Sequence, residues 1–396
     1  ANMQSNLTAF SYLLPLFGAV IVDKYIGARY TTPVGMFIAA AGYFTGGIAK
    51  SSAGVYAMIF LVSLGLALFK NGAIIGRVIT DKSQMDPAFS MRYTLVNVGA
   101  FIGTFLVGIL YKDVFAKDGV LGFAPCFKMA ALMMVLGGLW YIFVCWRFLG
   151  DLGKLPFKKT LTEEEKAAEA KKKEETGTKQ PLTTIEKKRI GAIFVASLFS
   201  IVFWIFWYLG YMPVYFYWAE NMDWVVAGYQ VPSTWFDAAN SLFCVILGPV
   251  TAALWKKLAA RPQGDMSLFR KTGLGIAIIG VGYLFYAAID IMRGGEKASV
   301  LWLIVFAFLL TMGEMFFSPL GHSFISKYSP SRYLAVMMSV WGFATFIAAK
   351  SYGPVYGLLF GGKIEFKVAC IGVAVVSFVA ALIMIALDKT LSALVD

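Results

Sequence analysis

Three ionisable side chains stand inside long apolar runs of the sequence: Lys70, Glu314 and Lys350. At the centre of a bilayer such a group costs at least about 2.5–3.5 kcal/mol, so each must reach polar surroundings or have a functional reason to stay. Lys70 and Glu314 are opposite in sign and lie in opposite halves of the chain. Facing one cavity, they would hold the two ends of a small zwitterion, and a low dielectric would strengthen both pairings. Asn97 and Asn240 combine donors and acceptors, which suits a polar backbone whatever side groups it carries. Each residue has a plainer reading. Lys70, roughly 10 Å into its run, could snorkel to the surface. Glu314, roughly 12 Å in, could be a structural ion pair or helix–helix hydrogen bond. The asparagines could make inter-helix bonds worth about 0.6 kcal/mol each. Lys350 carries no role beyond pairing with a carboxylate or a substrate.

The residue types for covalent chemistry are absent or scattered. There is no phosphate-binding glycine loop, no metal-ligand spacing, and no Ser or Cys near a usable histidine. His322 is the single histidine, at the cytoplasmic end of its run, and is expected to be solvated. Cys126, Cys145, Cys244 and Cys370 lie in or at the ends of apolar runs without paired spacing, so they read as small core hydrophobes. The expectation is therefore not an enzyme, with no cofactor and no metal.

The elements that must position these residues are membrane helices. The chain is 59% hydrophobic and 15% charged, with a mean hydropathy of +0.71. Soluble domains carry about 45–50% apolar and about 25% charged residues. Lipid must be the solvent. The net charge of +12 does not indicate nucleic acid, because the basic residues fall between apolar runs rather than on one face. A bilayer core about 30 Å thick needs roughly 20 residues per helix. Eleven runs qualify, at 7–22, 31–49, 53–76, 92–111, 124–148, 189–218, 233–256, 271–291, 299–320, 333–360 and 364–388. If loop 23–30 is cytoplasmic, thirteen Lys and Arg fall in short cytoplasmic segments and seven on the other side, with twelve more in 147–189. This places the C-terminus in the cytoplasm and the N-terminus outside.

A five-span bundle (1–148), a charged cytoplasmic linker (149–188) and a six-span bundle (189–396) follow, as in a six-plus-six design that lacks its first helix. Within the linker, Thr162 before Glu163, Glu164 and Glu165 reads as a helix N-cap. Trp204, Trp207, Tyr208, Tyr211, Tyr215, Tyr217 and Trp218 approach the outer surface and are expected mainly to form an interface belt.

Several motifs carry a resemblance. Gly18, Asp23, Gly27 and Arg29 are similar to the major facilitator motif between the second and third helices, where glycine allows close helix approach and the acid and arginine serve the cytoplasmic gate. Phe89, Tyr93, Asn97, Gly99 and Ala100 resemble the helix-five signature of the proton-dependent oligopeptide transporter family. Gly313-Glu314 with Ser318-Pro319 and Gly321 resembles its helix-ten signature, and Lys327 to Pro330 and Met337 to Trp341 continue it. Asn240 to Pro249, with Leu254-Trp255 and Arg261-Pro262, is similar to helix eight and its loop. Phe69-Lys70-Asn71 resembles a helix-four motif without its proline.

These matches run in order along nearly the whole chain. The resemblance implies an all-α major facilitator fold of two six-helix bundles and proton-driven symport of di- and tripeptides by alternating access. A di- or tripeptide spans roughly 7–11 Å when extended, with Lys70 taking its carboxylate and Glu314 its ammonium. Tyr12, Asn97, Asn240, Ser318 and Trp341 match the remaining substrate positions, although Tyr12 and Trp341 could equally be packing aromatics. Glu314 is also the proton-coupling candidate, and Gly18, Asp23, Arg29 and Tyr93 are gating or structural. Short peptides, protons and lipid are the expected partners of a monomer in a bacterial inner membrane.

Two departures stand out. The family's helix-one acidic motif is not in this chain, and Phe203 to Gly210 holds no acid where many members carry one. Transport of another small solute, or a non-transporting peptide receptor or scaffold, stays open.

Overall fold

A computed structural model describes residues 2–69, 82–156, 182–262, 264, 266–329 and 334–395. Eleven helices of 17 residues or more occupy the described residues, in the places of the eleven apolar runs. They are α1 (Asn2–Lys24), α2 (Ala28–Ile48), α3 (Ser52–Leu68), α4 (Lys82–Ile109, closed by a π turn at Leu110–Val114), α5 (Phe123–Phe148), α6 (Thr184–Tyr215), α8 (Trp235–Ala259), α9 (Leu268–Met292), α10 (Trp302–Tyr328), α11 (Leu334–Phe360) and α12 (Phe366–Ala386). Short helices α7 (Tyr217–Asn221) and α13 (Asp388–Val395) complete the set.

Among the described residues, six helices are long and apolar enough on their own to cross a membrane, and Ser52–Leu68 and Trp302–Phe317 are shorter apolar helical stretches. Large apolar side chains stand at the surface, among them Trp146 (73% exposed), Leu358 (73%) and Leu382 (66%). That surface suits hydrocarbon and not water.

The chain divides into two compact units. One comprises residues 6–95 and 109–180. Here α2 is the centre, packed on α3 along one side and α5 along the other. Small residues permit the approach. A Cβ added at Gly65 would meet the Ala39 nitrogen at 2.6 Å, so backbones run nearly in contact. Met58, Ile59 and Val62 form the buried core, with Leu7, Tyr43, Leu66 and Phe127 against it.

The other unit comprises residues 1–5, 96–108 and 181–396. Within it α9 packs on α10 and α12, α8 on α10, and α6 on α11. Tyr283 donates to the Phe206 carbonyl at 2.6 Å and Tyr286 to the Gly210 carbonyl at 3.2 Å, pinning α9 to α6. Tyr286 also stacks on Phe306 at 3.5 Å. Above these helices, β1 (Met222–Asp223) pairs with β4 (Ala298–Ser299), and β2 (Val225–Val226) with β3 (Tyr229–Gln230). These short strands satisfy backbone groups where the chain leaves the helices.

Helix α6 starts at Thr184, five residues before the expected run, because Thr183 and Glu186 form a reciprocal capping box. The cap anticipated at Thr162 lies outside the described residues.

Candidate functional site

The polar interior of the larger unit is built on Glu314. Gly313 precedes it, and a Cβ there would come within 3.0 Å of the Gly275 carbonyl oxygen, so α10 lies tight against α9. Glu314 is half-buried one side chain further along. From α8, the Asn240 amide donates to Glu314 Oε2 at 3.1 Å and to Thr311 Oγ1 at 2.9 Å. Thr311 in turn donates to the Ala307 carbonyl at 2.8 Å, which fixes its hydroxyl as an acceptor. Cys244 Sγ lies 4.0 Å from Glu314 Oε2. Trp207 approaches Glu314 from α6 with its buried indole N–H.

One turn above Asn240 on α8 stands a second carboxyl, Asp237, which accepts a hydrogen bond from the Tyr215 hydroxyl. The phenol of Tyr211 is within electrostatic reach of both Asp237 and Glu314. Trp207, Tyr211 and Tyr215 follow one another at helical i, i+4, i+8 spacing, so one face of α6 runs past both carboxyls. Alongside, an apolar cavity of about 530 Å³ is lined by Phe101, Phe105, Trp235, Phe236 and Leu242, among others, and offers no place for a charged end group. Trp235 stacks on Phe105 at 4.4 Å and donates to its carbonyl at 3.2 Å.

Of the residues singled out by sequence, Asn240 and Glu314 are brought together. Trp341 is buried and stacks on Phe317 at 5.6 Å, so it packs within its unit. Asn97 is half-buried in segment 96–108. Tyr12 on α1 and Tyr93 on α4 are exposed. Lys70 and the side chains of Asp23, Ser318 and His322 lie outside the described residues. Lys350 is exposed, and its carbonyl accepts from Ser5 at 3.2 Å.

Gly18 and Arg29 of the facilitator-like motif lie in the smaller unit. Arg29 donates through Nη1 to the Gly150 carbonyl and through its backbone nitrogen to the Gly153 carbonyl at 3.0 Å, tying the start of α2 to the turn after α5. The Lys154 ammonium beside Asp151 holds its exposed carboxyl below the usual carboxylate range. Gly18 faces the backbone of Ala67, with the position of a Cβ 3.1 Å from the Ala67 Cα.

One expectation changes. The aromatic cluster of α6 and α7 belongs to the interior rather than to an interface belt: Trp218 and Tyr211 are buried, and Tyr208 stacks on Tyr352 at 5.2 Å. Asp237 is not among the residues singled out by sequence. Its spacing of three from Asn240, on a shared face, was the signal available.

Fold and site define an integral membrane protein of the major facilitator type. Solved structures of POT family transporters superimpose on nearly the whole chain. One, a peptide transporter in complex with alafosfalin, is 24% identical with a TM-score of 0.84 over 99% of this chain and 86% of that one. Another, in complex with a thioalcohol-conjugated peptide, is 22% identical with a TM-score of 0.82 over 98% and 87%. Among curated relatives, the di-/tripeptide transporter of Lactococcus lactis subsp. cremoris is 23% identical over 84% of this chain and 75% of its own length. The uncharacterized transporter YclF of Bacillus subtilis is 25% identical over 86% and 75%. The family model described as the POT family matches residues 152–360, more than half of the chain. The chain belongs to the POT family, whose members are transporters rather than enzymes.

Proposed function

We propose that this protein is a secondary active transporter of di- and tripeptides, a proton symporter working by alternating access between bundles 1–148 and 189–396, joined by linker 149–188. Family membership supports the class, and the printed names of relatives support the substrate. The observation that carries the reading to this chain is the Asn240–Glu314 pair, an amide and a carboxyl held together inside the membrane-spanning helices. A carboxyl kept there at a cost of several kcal/mol has two uses in a symporter. It receives the ammonium of a peptide, and it carries a proton when that ammonium is absent.

Lys70 takes the peptide carboxylate; Asn97 and Asn240 serve the peptide backbone; Tyr12, Ser318 and Trp341 shape the remaining surface. Gly18, Asp23, Arg29 and Tyr93 serve gating and helix approach. The protein works as a monomer in a bacterial inner membrane.

Vesicles reconstituted with the full chain and given an inward proton gradient accumulate dialanine in this reading. Glu314→Gln lowers gradient-driven uptake by about 100-fold, the low end of what a positioned proton-transfer group contributes, and lowers peptide exchange without a gradient less. Driven uptake that persists in Glu314→Gln would sink the assignment of Glu314. Exclusion of dialanine by wild type, with transport of nitrate or a lipophilic cation, would sink the peptide reading.

A further inference from the structure

We propose that Asp237 is a second proton-carrying carboxyl, the outer relay that delivers protons to Glu314. The inference rests on the symport reading above. Its basis is placement. Asp237 sits in the first turn of α8, and the distribution of Lys and Arg puts that end of the helix on the outer side. Glu314 lies twelve residues into α10, about 18 Å along it. Asp237 is therefore the shallower of the two carboxyls, on the side from which protons enter.

The groups that face Asp237 come from several elements. From α6 come the hydroxyl of Tyr215, which donates to it, and the phenol of Tyr211. Along the described side chains of α10 the charged group is Glu314, and Asn240 and Cys244 of α8 lie against Glu314. Segment 96–108 holds no titratable residue and contributes Phe105, stacked on Trp235. Among the described residues no cation pairs with Asp237. A carboxylate held half-buried without a cation costs several kcal/mol to keep ionised, which suits a group that exchanges its charge for a proton in each cycle.

The bookkeeping is simple. The Asp237 carboxylate takes a proton from water on the outer side, then passes it to the Glu314 carboxylate. Asp237 is again ionised, and no covalent bond other than O–H changes. Asn240, one turn from Asp237 on α8, is bonded to Glu314, and the Tyr211 phenol is within electrostatic reach of both carboxyls.

The competing role is structural: an acid in the first turn favours the helix dipole and anchors Tyr215. Asp237→Asn separates the two, because the amide oxygen still accepts from Tyr215 while the proton site is gone. In vesicles carrying the full chain, Asp237→Asn should lower gradient-driven dialanine uptake by about 100-fold and leave exchange intact. Asp237→Glu should restore driven uptake. In the purified full chain, infrared difference spectra between acidic and neutral pH should lose one carboxyl band in Asp237→Asn. A wild type that responds to the gradient, with Asp237→Asn matching it in uptake, pH profile and infrared bands, overturns the relay alone. A wild type that exchanges peptide yet ignores the gradient overturns the symport reading and the relay with it.

Discussion

Two tyrosine–aspartate pairs lie near the outer end of the larger unit, and their tyrosines are only two residues apart. Tyr217 donates to Asp290, and that carboxylate also accepts from Arg293 Nε at 2.7 Å. Arg293 closes the triangle by donating to the Tyr217 hydroxyl at 2.8 Å, while the Tyr217 ring stacks on Phe366 at 3.8 Å. Tyr215 donates to Asp237, which has no cation among the described residues. The sequence difference is slight, but the backbone separates the partners. The non-helical Phe216 (φ −121°, ψ −72°) ends α6 between the two tyrosines, so each meets a different helix. One pair is a closed, charge-balanced brace. The other is an open carboxyl beside a route to Glu314, and identical residue types are thereby given a structural role and a chemical one.

The largest expected effect falls on the brace. Asp290→Asn leaves Arg293 with no carboxylate although its side chain is only 13% exposed. Breaking a buried pair in this way costs about 3–5 kcal/mol. Thermal unfolding of the purified chain in detergent should show a clear loss of stability, with little change in the pH profile of uptake in whatever protein survives. Asp237→Asn should do the reverse, unfolding near the wild-type temperature with driven uptake lost. Equal destabilisation by the two substitutions would erase the distinction. Next in size is Tyr217→Phe, which removes one hydrogen bond to a charged acceptor and one from a charged donor. At about 1.5–3 kcal/mol for a bond to a charged group, it should destabilise less than Asp290→Asn and more than any change at Tyr215.

The legibility of these features from sequence followed their physical range. Eleven apolar runs became eleven helices because hydrocarbon permits little else for an uninterrupted backbone. Glu314 was legible because an acid in mid-span is costly enough to notice in one dimension, whereas its bond to Asn240, which sits in a separate motif on another helix, is a tertiary contact. Asp237 was not, since at the start of a run an acid looks like ordinary helix-terminal chemistry. Only packing against Tyr215 and Tyr211 distinguishes it. The α6 aromatics misled for a similar reason: their types fit an interface belt, and whether a ring faces lipid or a neighbouring helix is a tertiary property. The start of α6 was readable in principle from Thr183 and Glu186, a local capping signal overshadowed by the lysines around it.

The smallest effect is the most discriminating. Tyr215→Phe removes a single donor from Asp237. A hydrogen bond to a neutral acceptor is worth about 1 kcal/mol, and one to a permanently charged acceptor about 1.5–3 kcal/mol. If Asp237 cycles between ionised and protonated forms, Tyr215→Phe should cost about 1 kcal/mol in detergent unfolding at a pH where the carboxyl is protonated, and about 1.5–3 kcal/mol where it is ionised. Because the lost bond favours the carboxylate over the acid, the substitution should move the pH midpoint of driven uptake upward. The sign follows from the donor: without Tyr215 the carboxylate is less stabilised, and protonation occurs at higher pH. An unchanged midpoint with a stability loss matching Tyr217→Phe would make Asp237 a second brace, and the two pairs would then be alike in chemistry as well as in sequence.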